Sequence, residues 1–260
     1  MKGLVGVVHL PAVPGDPGCA GSFDDALAAA RRDAGAYKEG GAAALIVENF
    51  GSAPFWKGTA GDRLPAHQIA LITLAVRAVQ DTVDLPVGVN CLRNDAMAAL
   101  GIAAATNAAF VRVNVHTGAY VTDQGLIEGE AAHSLRYRAS LGSQTALWAD
   151  VLVKHAKPLA PLSPTQATEE VLLRGGADAV IVTGRGTGEP IDASVLREVR
   201  AAAGDRTVVL GSGVTPATAP ALAPFADAAI VGTYVKEHGR IHAPVDARRV
   251  AEVAALFPLK

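Results

Sequence analysis

The sequence predicts a (β/α)8 barrel, and three observations carry that expectation. Eight short Val/Ile/Ala-rich runs recur along the chain, Ala/Leu/Arg-rich segments with helical spacing separate them, and the set fits within 260 residues. Runs that are apolar throughout are strands buried on both faces, and strands alternating with helices need parallel crossovers. That leaves an open doubly wound sheet or a closed barrel. An open sheet normally carries a GxGxxG turn after its first strand, whereas "PAVPGDPG" stands here. Eight units in about 250 residues favour the barrel. No linker-like shift in composition divides the chain, so residues 1–260 are assigned to one domain.

The elements follow in order. "LVGVVHL" (4–10) is the first strand: a lone Lys before an apolar run resembles a secretory signal, but the run is short, contains Gly and stops at His9 and Pro11. "SFDDALAAARRDAGAYKEG" starts at Ser22 or Asp24 and stops at Gly40, as a capped helix does. "AALIVENF" (43–50) is strand two, "AHQIALITLAVRAVQD" a helix, "LPVGVN" (85–90) strand three and "FVRVNV" (110–115) strand four. The connection at 116–142 is longer than usual and reads as a binding loop with Tyr120, Asp123, Gln124 and Gly125 at its tip, then a helix from Glu128 to Ser140. "TALWADV" (145–151) is strand five; Ser163 before Pro164 opens a helix that ends at Gly175. "ADAVIVTG" (177–184) is strand six, followed by a helix between Asp192 and Gly204. "TVVLGSG" (207–213) and "DAAIVGTY" (227–234) complete the eight strands.

Bulk composition narrows the function classes. Half the residues are hydrophobic, yet the apolar stretches break well before the roughly 20 residues of a membrane helix. The net charge of −2, with both signs spread along the chain, offers no polycationic surface, so neither a nucleic-acid polymer nor a membrane is an expected partner. Cys19 and Cys91 are far apart and lack a CxxC partner, which signals neither zinc nor a disulfide framework and fits a reducing cytoplasm.

Catalytic groups of a barrel sit where strands end and βα loops begin, and unusual polar residues collect there. Strand one ends at His9, strand two at Glu48 and Asn49, and strand three at Asn90 with Arg93, Asn94 and Asp95 beyond. Arg112 and Asn114, two apart, share one face of strand four. Strand five carries Asp150 and leads to Lys154 and His155; strand six ends at Thr183. One strand-end Asn, Asp or Thr is most often a turn former, but a group of this size is harder to dismiss. Arg112, mid-strand, needs either an ion pair with Glu48 or Asp150 or a substrate anion, and the sequence leaves both open. Glu48, Asp123, Asp150, Lys154 and His155 are the candidate catalytic groups. His9, Asn49, Asn90, Arg93, Arg112, Asn114 and Thr183 are candidates for holding substrate. No cofactor is evident. His9, Glu48, Asp150 and His155 are suitable metal ligands, but HxH and HExxH spacings are absent, so a divalent metal stays open.

Glycine-rich turns follow strands six, seven and eight: "TGRGTGEP", "GSGVTP" and "VGTYVKEHG". After strands seven and eight such turns aim backbone N–H groups at an anion. Gly184, Gly186, Gly211, Ser212, Gly213, Gly232 and Thr233 are therefore expected to bind phosphate, with Lys236 as a nearby charge. The Walker pattern GxxxxGK[ST] is absent, which disfavours ATP hydrolysis.

The motifs "GVVHLPAVPGDPG", "IVENFGSAPF", "VGVNCLRND", "FVRVNVHTG", "DQGLIEG", "ADVLVKHA", "DAVIVTGRGTG" and "GSGV", in this order over almost the whole chain, resemble the BtpA/SgcQ family of ribulose-phosphate-binding-type barrels. The resemblance implies the barrel fold. Family members are named after a cyanobacterial factor needed to accumulate photosystem I and after a bacterial relative described as a nucleosidase; no one reaction comes with the family. The residue chemistry implies an enzyme acting on a small phosphorylated sugar or nucleoside-like metabolite, with glycosidic bond cleavage by paired carboxylates. Isomerase or aldolase chemistry through Lys154 is the alternative, as is a non-catalytic assembly factor. Homo-oligomerisation stays open.

Overall fold

Apolar runs bounded by Gly, Pro and Asn become strands because each is covered on one side by a helix and fills the barrel on the other. The computed structural model describes residues 1–184, 186 and 190–258. The first four barrel strands are β1 (Gly3–His9), β2 (Ala44–Glu48), β3 (Val87–Asn90) and β4 (Phe110–Val113). A hairpin of β5 (Ala119–Thr122) and β6 (Gly125–Glu128) precedes the fifth barrel strand, β7 (Ala146–Val151), and the short β8 (Ala156–Pro158) follows it. β9 (Ala179–Val182), β10 (Thr207–Leu210) and β11 (Ala228–Val231) complete the barrel, which closes in the order β1-β11-β10-β9-β7-β4-β3-β2 with every pairing parallel. The expected fold class is the observed one.

The helices are α1 (Phe23–Glu39), α2 (Ala66–Thr82), α3 (Ala96–Thr106), α4 (Ala131–Ser140), α5 (Pro164–Glu169), α6 (Ala193–Ala203), α7 (Ala219–Leu222) and α8 (Ala247–Ala254). Their starts follow the capping residues: Ser22 forms a capping box with Asp25, and the side chains of Asp95, Ser163, Asp192 and Asp246 accept first-turn N–H groups. The segment expected as one helix after strand five is α5 followed by a π turn at Glu170–Arg174, ending at Gly175. Among the described residues, no helix is long and apolar enough to cross a membrane.

Period two divides each strand between two cores. Val5, Val7, Ile46, Phe110, Trp148, Ile181 and Ile230 fill the barrel, where the Phe110 and Trp148 rings stack at 3.9 Å. Gly88 makes room for them: a Cβ there would lie 2.3 Å from Phe110 Cε2. Residues of the other parity, such as Leu4, Val8, Leu45, Val47 and Val89, pack under the helices. Tyr37 of α1 is fully buried there and donates its hydroxyl to the carbonyls of Val7 and Val231.

The connection after β4 is not an irregular loop. Thr122 pairs with Gly125 across a two-residue turn at Asp123 and Gln124, with Gly125 at φ +91°, and β8 joins β5 to make a three-stranded antiparallel sheet. Tyr120 is not at the tip: it is buried with Val115, Ile127 and Val153. Because residues 125–128 are spent on β6, α4 starts at Ala131 rather than at Glu128.

Candidate active site

The parity that fills the barrel also selects the site. Two residues beyond Val7, Ile46, Gly88, Phe110, Trp148, Ile181, Val209 and Ile230, the interior positions are His9, Glu48, Asn90, Arg112, Asp150, Thr183, Gly211 and Gly232. Polar side chains and glycines thus replace the apolar plug at the C-terminal end of the strands, where a barrel carries its chemistry.

Arg112 and Asp150 form the centre. Arg112 donates Nε to Asp150 Oδ1 and Nη2 to Oδ2, both at 2.9 Å, and Asn114 Nδ2 adds a third bond to Oδ2 at 3.1 Å. Asn90 donates in turn to Asn114 Oδ1 and to the Arg112 carbonyl. The Asp150 side chain is 0% exposed, so this carboxylate, a candidate acid or base in the sequence, is placed to hold Arg112 rather than to meet a ligand. Burial by itself lowers the pKa of Arg112, but the charge and hydrogen bonds of Asp150 raise it overall, and the guanidinium stays charged.

Two cavities meet at this centre. One, of about 250 Å³, is lined by the turn Gly211–Thr215, by Gly232 and Thr233, and by Arg249. We term it the glycine lobe. Ser212 accepts the Gly184 N–H on its Oγ at 2.8 Å, which ties the turns after β9 and β10 together. A Cβ on Gly232 would lie 2.5 Å from His9 Cε1, and one on Gly211 2.5 Å from Ile181 Cγ2, so both positions need a bare backbone. Gly184 and Gly186 are buried; Arg185, Thr187, Gly188 and Glu189 of the same expected loop lie outside the described residues. Lys236, the expected nearby charge, is 2% exposed and pairs with Asp33 of α1 at 2.6 Å, so it anchors the loop after β11 and does not line the lobe. Arg249 lines the lobe in its place, together with Arg112 and Lys154. Its Nε donates to the Tyr234 carbonyl, and its guanidinium lies 4.3 Å from the centre of the Tyr234 ring.

The other cavity, of about 550 Å³, is the distal lobe, walled by Phe50, Phe55 and Leu92 and rimmed by Arg93, Asn114, Asp123 and His155. Glu48, Phe50, Arg112 and Lys154 line both lobes. Asp123 reaches the distal lobe from the hairpin turn, and Gln124 donates to its Oδ2. His155, at φ +56°, turns the chain out of β7, while the Lys154 N–H donates to Thr183 Oγ1.

Burial tunes the shared groups. Glu48 has its pKa raised by desolvation, against the pull of Arg112 and Lys154, which biases it toward the protonated acid. His9 has its pKa pushed well below 6.5 by burial and then by Lys236 and Lys154. Its Nε2 is 3.7 Å from Glu48 Oε1, its Nδ1 has no hydrogen-bond partner, and its ring lies 4.8 Å from that of Phe50. The pair is best described as a neutral imidazole beside a carboxyl. Lys154 has its pKa lowered by burial and then by Arg112.

Three strand-end residues do other work. Asn49 follows Glu48 and therefore has the wrong parity for the interior; it bonds both the N–H and the carbonyl of Leu92 and so clamps β2 to the turn after β3. Asn94 does the same with Val115. Asp95 caps α3, accepts the Leu64 N–H and pairs with Arg63. Among the described residues, no three His, Cys, Asp or Glu side chains are grouped to hold a metal ion. Phe50, Phe55 and Arg249 are absent from the sequence-derived candidates. Arg249 carried a weak signal, as a cation in the first turn of the helix after the last glycine turn.

Fold and cavity together define a TIM-barrel protein with its candidate site at the carboxyl ends of the strands. The chain belongs to the BtpA family, whose model matches residues 1–257. It is 43% identical over 95% of its length to an uncharacterized protein of Pyrococcus furiosus, PF0860, covering 92% of that relative. It is 42% identical, again over 95% of its length, to the photosystem I biogenesis protein BtpA of a Synechocystis strain, covering 85% of that protein. Among solved structures, 3-hexulose-6-phosphate synthase superposes with a TM-score of 0.63 at 16% identity, over 99% of this chain and all (100%) of that one, and shares the barrel.

Proposed function

We propose that the protein is an enzyme that acts on a small phosphorylated sugar or nucleoside-like molecule and cleaves the bond between the sugar and a planar leaving group. The observation that carries this reading is the meeting of the two lobes at Glu48, Arg112 and Lys154. A phosphate fits the backbone N–H groups at Ser212, Gly213 and Gly232, with the Ser212 and Thr233 hydroxyls and Arg249 around it; the Gly211 N–H is held by the Val182 carbonyl. A flat group fits the walls of the distal lobe at Phe50 and Phe55. The sugar then lies against Glu48, whose raised pKa suits a general acid. Glu48 gives its proton to the leaving atom as the bond to the sugar carbon breaks, and water adds to that carbon, losing its proton to Asp123 brought in by the hairpin. The fold neighbour 3-hexulose-6-phosphate synthase is named for a phosphorylated sugar, which agrees with the ligand class.

A second reading rests on Lys154. A lysine whose pKa is lowered by burial, on the border of both lobes, suits attack on a sugar carbonyl, with loss of water to give a Schiff base, as in isomerase or aldolase chemistry. One experiment separates the two. Purified protein is incubated with nucleosides, nucleotides and sugar phosphates, and products are followed by mass spectrometry with and without borohydride. Cleavage lost in Glu48→Gln and kept in Lys154→Ala supports the first reading; a borohydride-trapped adduct on Lys154 supports the second. Neither binding nor turnover of any phosphorylated compound overturns both and favours a role in assembly.

A further inference from the structure

Arg93 is a buried cation that forms no ion pair with a carboxylate among the described residues. It lines the distal lobe and not the glycine lobe, and it is 4% exposed. Its backbone N–H donates to the Trp56 carbonyl, and its Nη2 donates to the Lys154 carbonyl at 2.7 Å, so the main chain and one end of the guanidinium are both held. Its Nε is buried with no hydrogen-bond partner among the described residues. Among the described residues no carboxylate forms an ion pair with it: Asp150 holds Arg112 and Asn114, Asp95 holds Arg63, Glu48 faces His9, and Asp123, on the same lobe, accepts from Gln124 and acts on Arg93 through its charge alone. Arg112 is thereby paired in contact, whereas Arg93 feels Asp150, Asp123 and Glu48 without a hydrogen bond to any of them. Burying a guanidinium without a counter-charge is costly, and the cost falls when a ligand brings the missing anion.

We propose that the ligand carries a second anion, a carboxylate or a second phosphate, at the end opposite its first phosphate, and that Arg93 receives it in the distal lobe. The proposal rests on the reading of the glycine-lined lobe as a phosphate site and adds to it the chemical class of the other end. A planar guanidinium in a water-poor site favours such an oxyanion over a neutral hydroxyl by charge-assisted hydrogen bonds. The substrate class narrows from phosphorylated sugars in general to those with an acidic group at both ends.

The test is isothermal titration of the whole wild-type protein with matched ligands at neutral pH. Glucitol 6-phosphate and 6-phosphogluconate differ by one terminal carboxylate; fructose 6-phosphate and fructose 1,6-bisphosphate differ by one phosphate. At least one doubly anionic member is expected to bind roughly tenfold to a hundredfold tighter than its singly anionic partner. Whichever pair shows the gain identifies the anion. Arg93→Met should abolish the gain and leave affinity for the singly anionic member and for inorganic phosphate unchanged, and Arg93→Lys should restore part of it. If the singly anionic compounds bind and neither pair shows a gain in the wild type, the proposal fails while the phosphate reading stands. If Arg93→Met weakens both members of a pair equally, Arg93 is structural and the proposal also fails. If neither inorganic phosphate nor any ester binds, the phosphate reading fails and takes the proposal with it. The wild-type comparison decides even if a variant does not fold.

Discussion

Replacing Asp150 by Asn should be far more damaging than the loss of one hydrogen bond. The Asp150 and Arg112 side chains are 0% and 4% exposed, they share two bonds of 2.9 Å, and Asn114 depends on the same carboxylate. An Asn keeps the shape but removes the charge that compensates a buried guanidinium. Breaking one side of a buried pair costs about 3–5 kcal/mol. For a chain of this size each kcal/mol lowers Tm by about 2–4 °C, so a fall of roughly 6–20 °C is expected. Trp148 pairs in register with Arg112 and stacks on Phe110, so its fluorescence reports melting at the site itself. The double variant Arg112→Met, Asp150→Leu removes both charges and should recover most of the stability, because an apolar replacement of a buried pair is often neutral or stabilising. It should not recover ligand binding, since Arg112 lines both lobes. A Tm within about 2 °C of wild type for Asp150→Asn, or a double variant less stable than either single one, would refute the reasoning.

Other expectations can be checked together. Gly232→Ala places a Cβ 2.5 Å from His9 Cε1 and should abolish affinity for inorganic phosphate in titration calorimetry while circular dichroism stays that of the wild type. Lys236→Met and Arg249→Ala should separate stability from binding. The first leaves Asp33 with Arg32 alone and costs toward the low end of about 3–5 kcal/mol without loss of phosphate affinity, and the second does the reverse. The pH profile of Tm should carry two opposite slopes. The raised pKa of Glu48 means the folded state holds a proton the unfolded one releases, so this group lowers stability as pH rises from the ordinary carboxylate range through its raised value, and Glu48→Gln removes that slope. The lowered pKa of His9 acts in the other direction: stability falls as pH drops below 6.5 toward the folded-state value, and His9→Gln removes that loss.

Much of the site could be read along the chain because a strand has a two-residue period. Once Val7, Ile46, Phe110, Trp148 and Ile181 are assigned to the interior, His9, Glu48, Arg112, Asp150 and Thr183 follow by parity, and the same count separates Asn49 from Glu48. The glycine turns at Gly211–Gly213 and Gly232 were legible from their place after the last two strands, and the structure adds why Gly stands there: a Cβ on Gly211 or Gly232 would clash, and Gly213 sits at φ +66°. The hairpin was not legible, because "AYVTDQGLIE" has a short, mixed alternation whose partner strand, Ala156–Pro158, lies beyond α4 and β7. The pairing of Lys236 with Asp33, 203 positions away, was equally hidden.

What the sequence determined by itself was therefore periodic and local: eight strand and helix units, several of their caps, and the strand ends at which polar residues collect. Those features depend on backbone geometry over a few residues, which a one-dimensional pattern records. Only the tertiary structure decided which charges neutralise each other. Asp150 goes to Arg112, Asp33 to Lys236 and Asp95 to Arg63, while the Arg93 Nε is buried with no hydrogen-bond partner among the described residues. Coulomb and hydrogen-bond energies depend on distances of a few ångströms between residues far apart in the chain, and closure of the barrel sets those distances.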